Sequence, residues 1–188
     1  MRYTSGNLSG TTDANGTYNY VDGNTVQFFV GDILIGESLG QDIITPLDLA
    51  GEPANLSNPA AINIARFLQT LDDDGNPDNG IIIPDAISQN ASGDINFNQS
   101  LSVFENDSNV EATLTELASL TTAISPDLKP ALDAAMHLTL SLLYKEEIKR
   151  ITIQVYSSTS NILCDLVNAR FKYDRDAFEA YKEKYSPT

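Results

Sequence analysis

The sequence predicts an α+β fold, in which a small N-terminal antiparallel β module is followed by a mainly helical C-terminal part. Residues 1–50 carry short runs of Thr, Tyr, Val, Phe and Ile, broken by Asn15-Gly16, Asp22-Gly23 and Gly31-Asp32. Such pairs form turns, because Gly tolerates positive φ and Asn or Asp bonds its own backbone. From Asn58 onward apolar residues recur at helical spacing. Basic residues crowd into the last quarter of the chain, which holds 8 of the 11 Lys and Arg.

Taken in order, the β module is expected to place strands at 17–21, 25–30 and 32–36, with Tyr18 and Tyr20 on one face by period two. Residues 41–57 read as an irregular connector containing Pro46, Gly51 and Pro53. The first helix opens at Asn58, a good N-cap, with Pro59 at the first helical position, where its missing N–H costs nothing. Ala61, Ile64, Ala65, Leu68 and Leu71 fall on its inner face. After the acidic run 72–80, Ile81–Ile83 reads as a short strand. A second helix is expected from Ser108, with Glu111 completing a capping box and Val110, Leu114, Leu117 and Thr121 inside. A third is expected from Ser125 to about Arg150, burying Leu128, Leu132, Ala135, Leu138 and Leu142. The run Ile151–Val155 alternates; its β-branching favours a strand over continued helix. A last helix is expected over 160–185. The chain therefore divides into a β module (1–50), a helical region with an acidic loop at 72–80 (51–143), and a more basic helical segment (144–188).

The 188 residues are enough for one ordinary domain, and 41% apolar content gives a modest core. The formal charge is −15, and residues 1–100 alone carry 13 acidic side chains against 2 basic ones. Nucleic acid and anionic membrane need clustered Lys and Arg, so they are poor partners for such a surface, whereas cations are the natural counterpart. Cys164 is the sole cysteine, so an intrachain disulfide is excluded. No apolar run reaches the length of a membrane-spanning helix. The opening MRYTSGNLSG reads as a Met placed before an exported mature segment.

The strongest candidate for chemistry is the loop Asp72-Asp73-Asp74-Gly75-Asn76-Pro77-Asp78-Asn79-Gly80. Asp72, Asp74, Asn76 and Asp78 alternate, so a tight turn could aim their oxygens at one point, with Asp85, backbone carbonyls or water completing the shell. Calcium, a hard cation, takes six to eight oxygens in flexible geometry; magnesium is stricter. Pro77 and Ile83 stand where an EF-hand has its invariant Gly and bidentate Glu, so the loop is no standard EF-hand. The same residues are also the default composition of a solvated turn that caps a helix. Asp13 and Asn15 form a weaker ion candidate, since a turn needs them equally.

Gly36-Glu37-Ser38-Leu39-Gly40 matches the G-x-S-x-G nucleophile motif, and a hydrolase using Ser38 with His137 is the alternative from another functional class. That motif requires a strand before the serine and a helix after it; the strand is present, and Pro46 with its β-branched neighbours argues against the helix. His137 is the sole histidine, which rules out a multi-histidine zinc site. It is expected to be partly buried and structural, and Cys164 a buried, inert thiol.

Four pieces in order, SGTTDANGTYNY, VGDILIG, ITPLDLAG and NPAAINIARFLQTLDDDGNPDNGI, resemble a recurrent N-terminal module of exported bacterial proteins, many of them classed as lipoproteins. The first piece also resembles the hairpin of transthyretin-like, carboxypeptidase-regulatory-like β modules. The resemblance runs over about residues 2–140. It implies an extracytoplasmic location in the periplasm, on the outer-membrane surface or secreted, with a lipid anchor upstream of this chain. It further implies a role in adhesion or ligand binding. Together with the acidic loop, the expected function is a non-enzymatic, calcium-stabilised envelope or surface module that binds or scaffolds an unidentified protein or surface ligand. A helical interaction module built from residues 144–188 is a further alternative.

Overall fold

A computed structural model of the chain describes residues 1–155, with side chains as far as residue 143. The fold is α+β, a four-stranded antiparallel sheet followed by helices. The strands are β1 (Arg2–Ser5), β2 (Leu8–Thr11), β3 (Thr25–Val30) and β4 (Ile33–Leu39), in the spatial order β2-β1-β3-β4. The helices are α1 (Pro46–Leu49), α2 (Pro59–Thr70), α3 (Asp85–Asn90), α4 (Leu101–Glu105), α5 (Ser108–Ser119) and α6 (Ala131–Val155). Residues 1–140 form one compact unit, and a second unit begins at Ser141.

Alternation in the strands sorts the two sheet faces. Tyr3, Ser5, Val26, Phe28, Val30, Ile33 and Ile35 are buried. The opposite face carries polar cross-strand pairs: Gln27 Nε2 donates to Glu37 Oε2 at 2.9 Å, and the Arg2 guanidinium lies 4.1 Å from the Phe29 ring centre. An irregularity between Phe28 and Phe29 shifts the register, so that Phe28 faces Gly36 and Phe29 faces Leu34. The hairpin at Gly31-Asp32 is where the sequence puts it.

The strand expected at 17–21 does not form. Its Tyr18 and Tyr20 instead pack as a cluster, with Tyr18 edge-on to Phe28 at 5.1 Å and Tyr20 5.9 Å from Tyr18. The ladder positions go to β1, which bonds both β2 and β3. Ile81–Ile83 is likewise not a strand. The helix expected from Ser125 begins at Ala131, and ahead of it Arg66 and Thr70 of α2 hold the backbone of Lys129 in a loop. Its buried positions become Ala134 and Leu138, while Leu132 is exposed. The true cap of α5 is Asp107, whose carboxylate accepts the Asn109 amide at 2.8 Å, in place of Ser108. Residues 151–155 continue α6 as helix. The last predicted helix and Cys164 lie outside the described residues.

Helix α2 is the centre of the fold. Asn58 caps it, accepting from the Ala60 amide at 3.0 Å, and Pro59 opens it as expected. Every residue from Ala60 to Thr70 is buried, not just one stripe. Ile64, Phe67, Leu68 and Leu71 join strand residues and Phe97, Phe104, Val110, Leu114 and Leu117 in one continuous core. The β module and the helices up to α5 thus share that core.

All-round burial obliges the polar side chains of α2 to find partners. Asn63 Nδ2 donates to the carbonyls of Phe97 and Gln99, each at 3.0 Å. Arg66, only 1% exposed, donates to Lys129 O at 2.7 Å and Leu101 O at 3.4 Å, and reaches Glu105 at 3.6 Å. Thr70 Oγ1 donates to Arg66 O and accepts from the Lys129 amide at 2.9 Å. These bonds pin the loops before α4 and α6 onto the helix.

Replacing Arg66 by Ala leaves two loop carbonyls without donors and opens a cavity, so urea unfolding should show a loss of about 3 kcal/mol or more. Glu105→Gln should lose less than about 1 kcal/mol, since that carboxylate is largely solvent-exposed. Similar losses from both variants would overturn the view that Arg66 acts through the loop backbone.

Candidate metal centre

Helix α2 ends at Thr70, and the chain turns directly into the acidic loop. Asp72 is 1% exposed although its neighbours Asp73 and Asp74 face solvent. Its Oδ1 accepts the Ile82 amide at 2.9 Å, while the Asp73 amide donates to Ile82 O at 2.9 Å. This pair of bonds closes the loop at its base. The other oxygen, Asp72 Oδ2, is buried and has no hydrogen-bond partner.

Carboxylate oxygens of Asp72, Asp73 and Asp74 lie within 4.8 Å of one another. Two oxygens bound to one calcium at about 2.4 Å can be separated by up to about that distance, so the spacing fits a shared divalent ion. All-oxygen, anionic donors suit a hard cation, and an orphaned buried carboxylate oxygen is what a ligand would satisfy.

The structure regroups the residues singled out in sequence. Asp73 joins Asp72 and Asp74, whereas Asp78 and Asp85 stand apart from the carboxylate cluster. The alternation is broken by Pro77, which opens a one-turn 3-10 helix, Pro77–Asn79. That turn carries Asp78 to His137, 3.9 Å from Nε2. Asn76 gives its amide to Asp74 Oδ1 at 2.9 Å, and Asn79 Nδ2 donates to Asp74 Oδ2 at 2.7 Å. Asp85 opens α3.

The electrostatics of neighbouring aspartates diverge. Burial pushes the Asp72 carboxyl above its ordinary value; the Ile82 amide opposes this, and the charges of Asp74 and Asp73 add to it. Asp74 is held below its ordinary value, chiefly by the Asn79 side chain and then by the Asn76 amide. With Oδ1 bonded to the Ile82 amide, the remaining oxygen of Asp72 can be satisfied by a proton shared with Asp74 or by a cation. No described Lys or Arg pairs with these three carboxylates.

His137 is half-buried. Its Nε2 lies 2.9 Å from Pro77 O, which can only accept, so that nitrogen carries the proton. Nδ1 then accepts from Gln69 Nε2 at 3.4 Å, and the same amide reaches Ala134 O. The histidine thus ties the acidic loop to α2 and α6.

Ser38 lies within β4 and donates to Leu39 O at 3.3 Å. A strand-to-helix elbow does not form there. Both glycines of the motif have packing reasons: a Cβ at Gly36 would stand 2.7 Å from the Leu49 carbonyl, and one at Gly40 would enter the Tyr20 ring at 2.3 Å. Asp13 makes a turn, its Oδ1 accepting the Asn15 and Thr17 amides at 2.9 and 2.8 Å.

No family model, curated protein or solved structure matches the chain.

Asp72 binds its proton more tightly folded than unfolded. Its contribution is therefore complete below the ordinary value of 3.8 and is lost as pH rises through the raised folded value. In a chelator, Asp72→Asn should flatten that fall, measured by urea unfolding at several pH values, because the amide removes the titration and keeps an oxygen for Ile82. Asp72→Ala lacks that acceptor and should be less stable than Asp72→Asn by about 1–3 kcal/mol.

Proposed function

We propose that this chain is a non-enzymatic binding or scaffolding module of the bacterial cell envelope or surface, whose acidic loop is stabilised by calcium. One observation carries the calcium reading: the buried, partnerless Oδ2 of Asp72, set beside two further carboxylates. Asp72, Asp73 and Asp74 would hold the ion, and water would complete the shell. The ion would offset the mutual repulsion of the three charges and lock the Asp72–Ile82 closure of the loop.

An extracytoplasmic location agrees with this chemistry. A loop with two exposed ligands out of three is a weak site, and extracellular calcium modules work at about 0.1–1 mM. The location itself rests on the resemblance of residues 2–140 to exported bacterial modules. No described helix is long and apolar enough to cross a membrane.

Calcium at 10 mM, with a dissociation constant of roughly 0.3 mM, would add about 2 kcal/mol and raise the melting temperature by several degrees. The rise should grow as pH climbs through the Asp72 titration, because proton and calcium compete for one oxygen. Magnesium should do less, and Asp72→Asn should abolish the effect. An unchanged melting temperature in the parent chain, or an equal rise in Asp72→Asn, would remove the calcium reading.

A further inference from the structure

The segment leaving the acidic loop also walls a cavity of about 460 Å³. That volume lies within the range of about 300–1,000 Å³ typical of small-molecule sites. Its floor is apolar: Phe28 and Leu68 belong to the core, and Tyr18, Ile44 and Leu49 are half-buried above them. Tyr18 and Phe28 meet edge to face, offering one ring face and one ring edge. Ile82 and Ile83 also line it.

Apart from the Met1 amino group, the charge of the lining is negative. Asp13 and Asp85 contribute carboxylates, and no described Lys, Arg or His side chain borders the cavity. The Asp13 carboxylate is fixed in place by the Asn15 and Thr17 amides, and the Thr17 bond leads in holding its pKa below the usual value. The Met1 amino group, which also borders the cavity, is engaged by Thr12 Oγ1 at 2.9 Å, and burial lowers its pKa. An apolar floor under fixed negative charge suits a ligand with an apolar body and a cationic end. A carboxylate ligand meets repulsion, and an inorganic cation gains nothing from the floor.

We propose that this cavity binds small amphiphilic amines, seating an aromatic or branched aliphatic body on Tyr18, Phe28, Leu49 and Leu68 and directing a protonated amino group toward Asp13 and Asp85. Aromatic rings beside the ammonium add attraction through their negative faces. The site needs no metal, although Ile82 belongs both to its wall and to the closure made by Asp72.

The test is a titration of the full chain in EDTA with 2-phenylethylamine, 2-phenylethanol and 3-phenylpropanoate, followed by calorimetry and by the methyl resonances of Leu49 and Leu68. The amine should bind saturably and shift those methyls, the alcohol about tenfold more weakly, and the acid not at all. Asp13→Asn with Asp85→Asn should weaken the amine by about tenfold, leaving alcohol binding unchanged. No amine binding at millimolar concentration, equal binding of amine and acid, or unchanged amine affinity in the double variant would overturn the proposal. The chelator keeps this outcome separate from that of the calcium reading.

Discussion

Helix α2 is enclosed on every side, and most of the rest of the fold follows from the need to satisfy its polar side chains. A helix with one buried stripe can leave Asn, Arg, Gln and Thr in water. Here Asn63, Arg66, Gln69 and Thr70 are all inside, and each donates to backbone or side-chain atoms within the protein, while the oxygens Asn63 Oδ1 and Gln69 Oε1 have no hydrogen-bond partner. Three of those partners are loop carbonyls, from Phe97, Gln99 and Lys129, and a fourth is the carbonyl of Leu101 at the start of α4. Irregular chain around a buried helix would otherwise leave acceptors unsatisfied. One helix therefore organises the long stretches between α3 and α6 that have little regular structure of their own.

The same helix delivers the acidic loop. Its last turn fixes Leu71 in the core, and the next residue, Asp72, is still buried where the chain turns outward. The carboxylate is held inside by where the helix ends. Its backbone partner, Ile82, lies ten residues on, and Ile81–Ile83 then form a wall of the cavity beside Phe28 and Leu68. Loop closure, core and cavity are thus mechanically joined through a few residues.

Much of this was legible in the sequence, and what was not has identifiable causes. Asn58-Pro59 marked the start of α2, and turn chemistry marked the β3–β4 hairpin. The strands β1 and β2 were missed because four-residue runs such as Arg2–Ser5 have little pattern of their own, and β1 owes its place to pairing with β3, some twenty residues away. The tyrosines at 18 and 20 have strand spacing but serve ring packing. In the acidic loop, alternation pointed to Asp72, Asp74, Asn76 and Asp78. That reading asks a tight turn to aim alternate side chains at one point, and the 3-10 turn at Pro77 instead places Asp78 beside His137. The contiguous trio 72–74 could be recognised only once burial of Asp72 was known. Nor does any sequence signal mark Arg66 as interior, because its partners are carbonyls, which every residue carries.

The hydrogen-bond donors near the loop bear on what the carboxylates are for. Lys129 Nζ donates to Gly75 O at 3.2 Å, and His137 Nε2 donates to Pro77 O at 2.9 Å. Both of these bonds go to the loop's backbone. If internal charge neutralisation were the purpose of these contacts, a lysine this close would gain more from a carboxylate than from a carbonyl. The protein instead fixes the path of the loop with Lys129 and His137 and leaves three clustered carboxylates, one of them buried, without a described Lys or Arg partner. Such an arrangement is costly as it stands and becomes favourable when positive charge arrives from solution, as a proton in acid or a divalent ion near neutral pH. The surrounding excess of negative charge raises the local concentration of either.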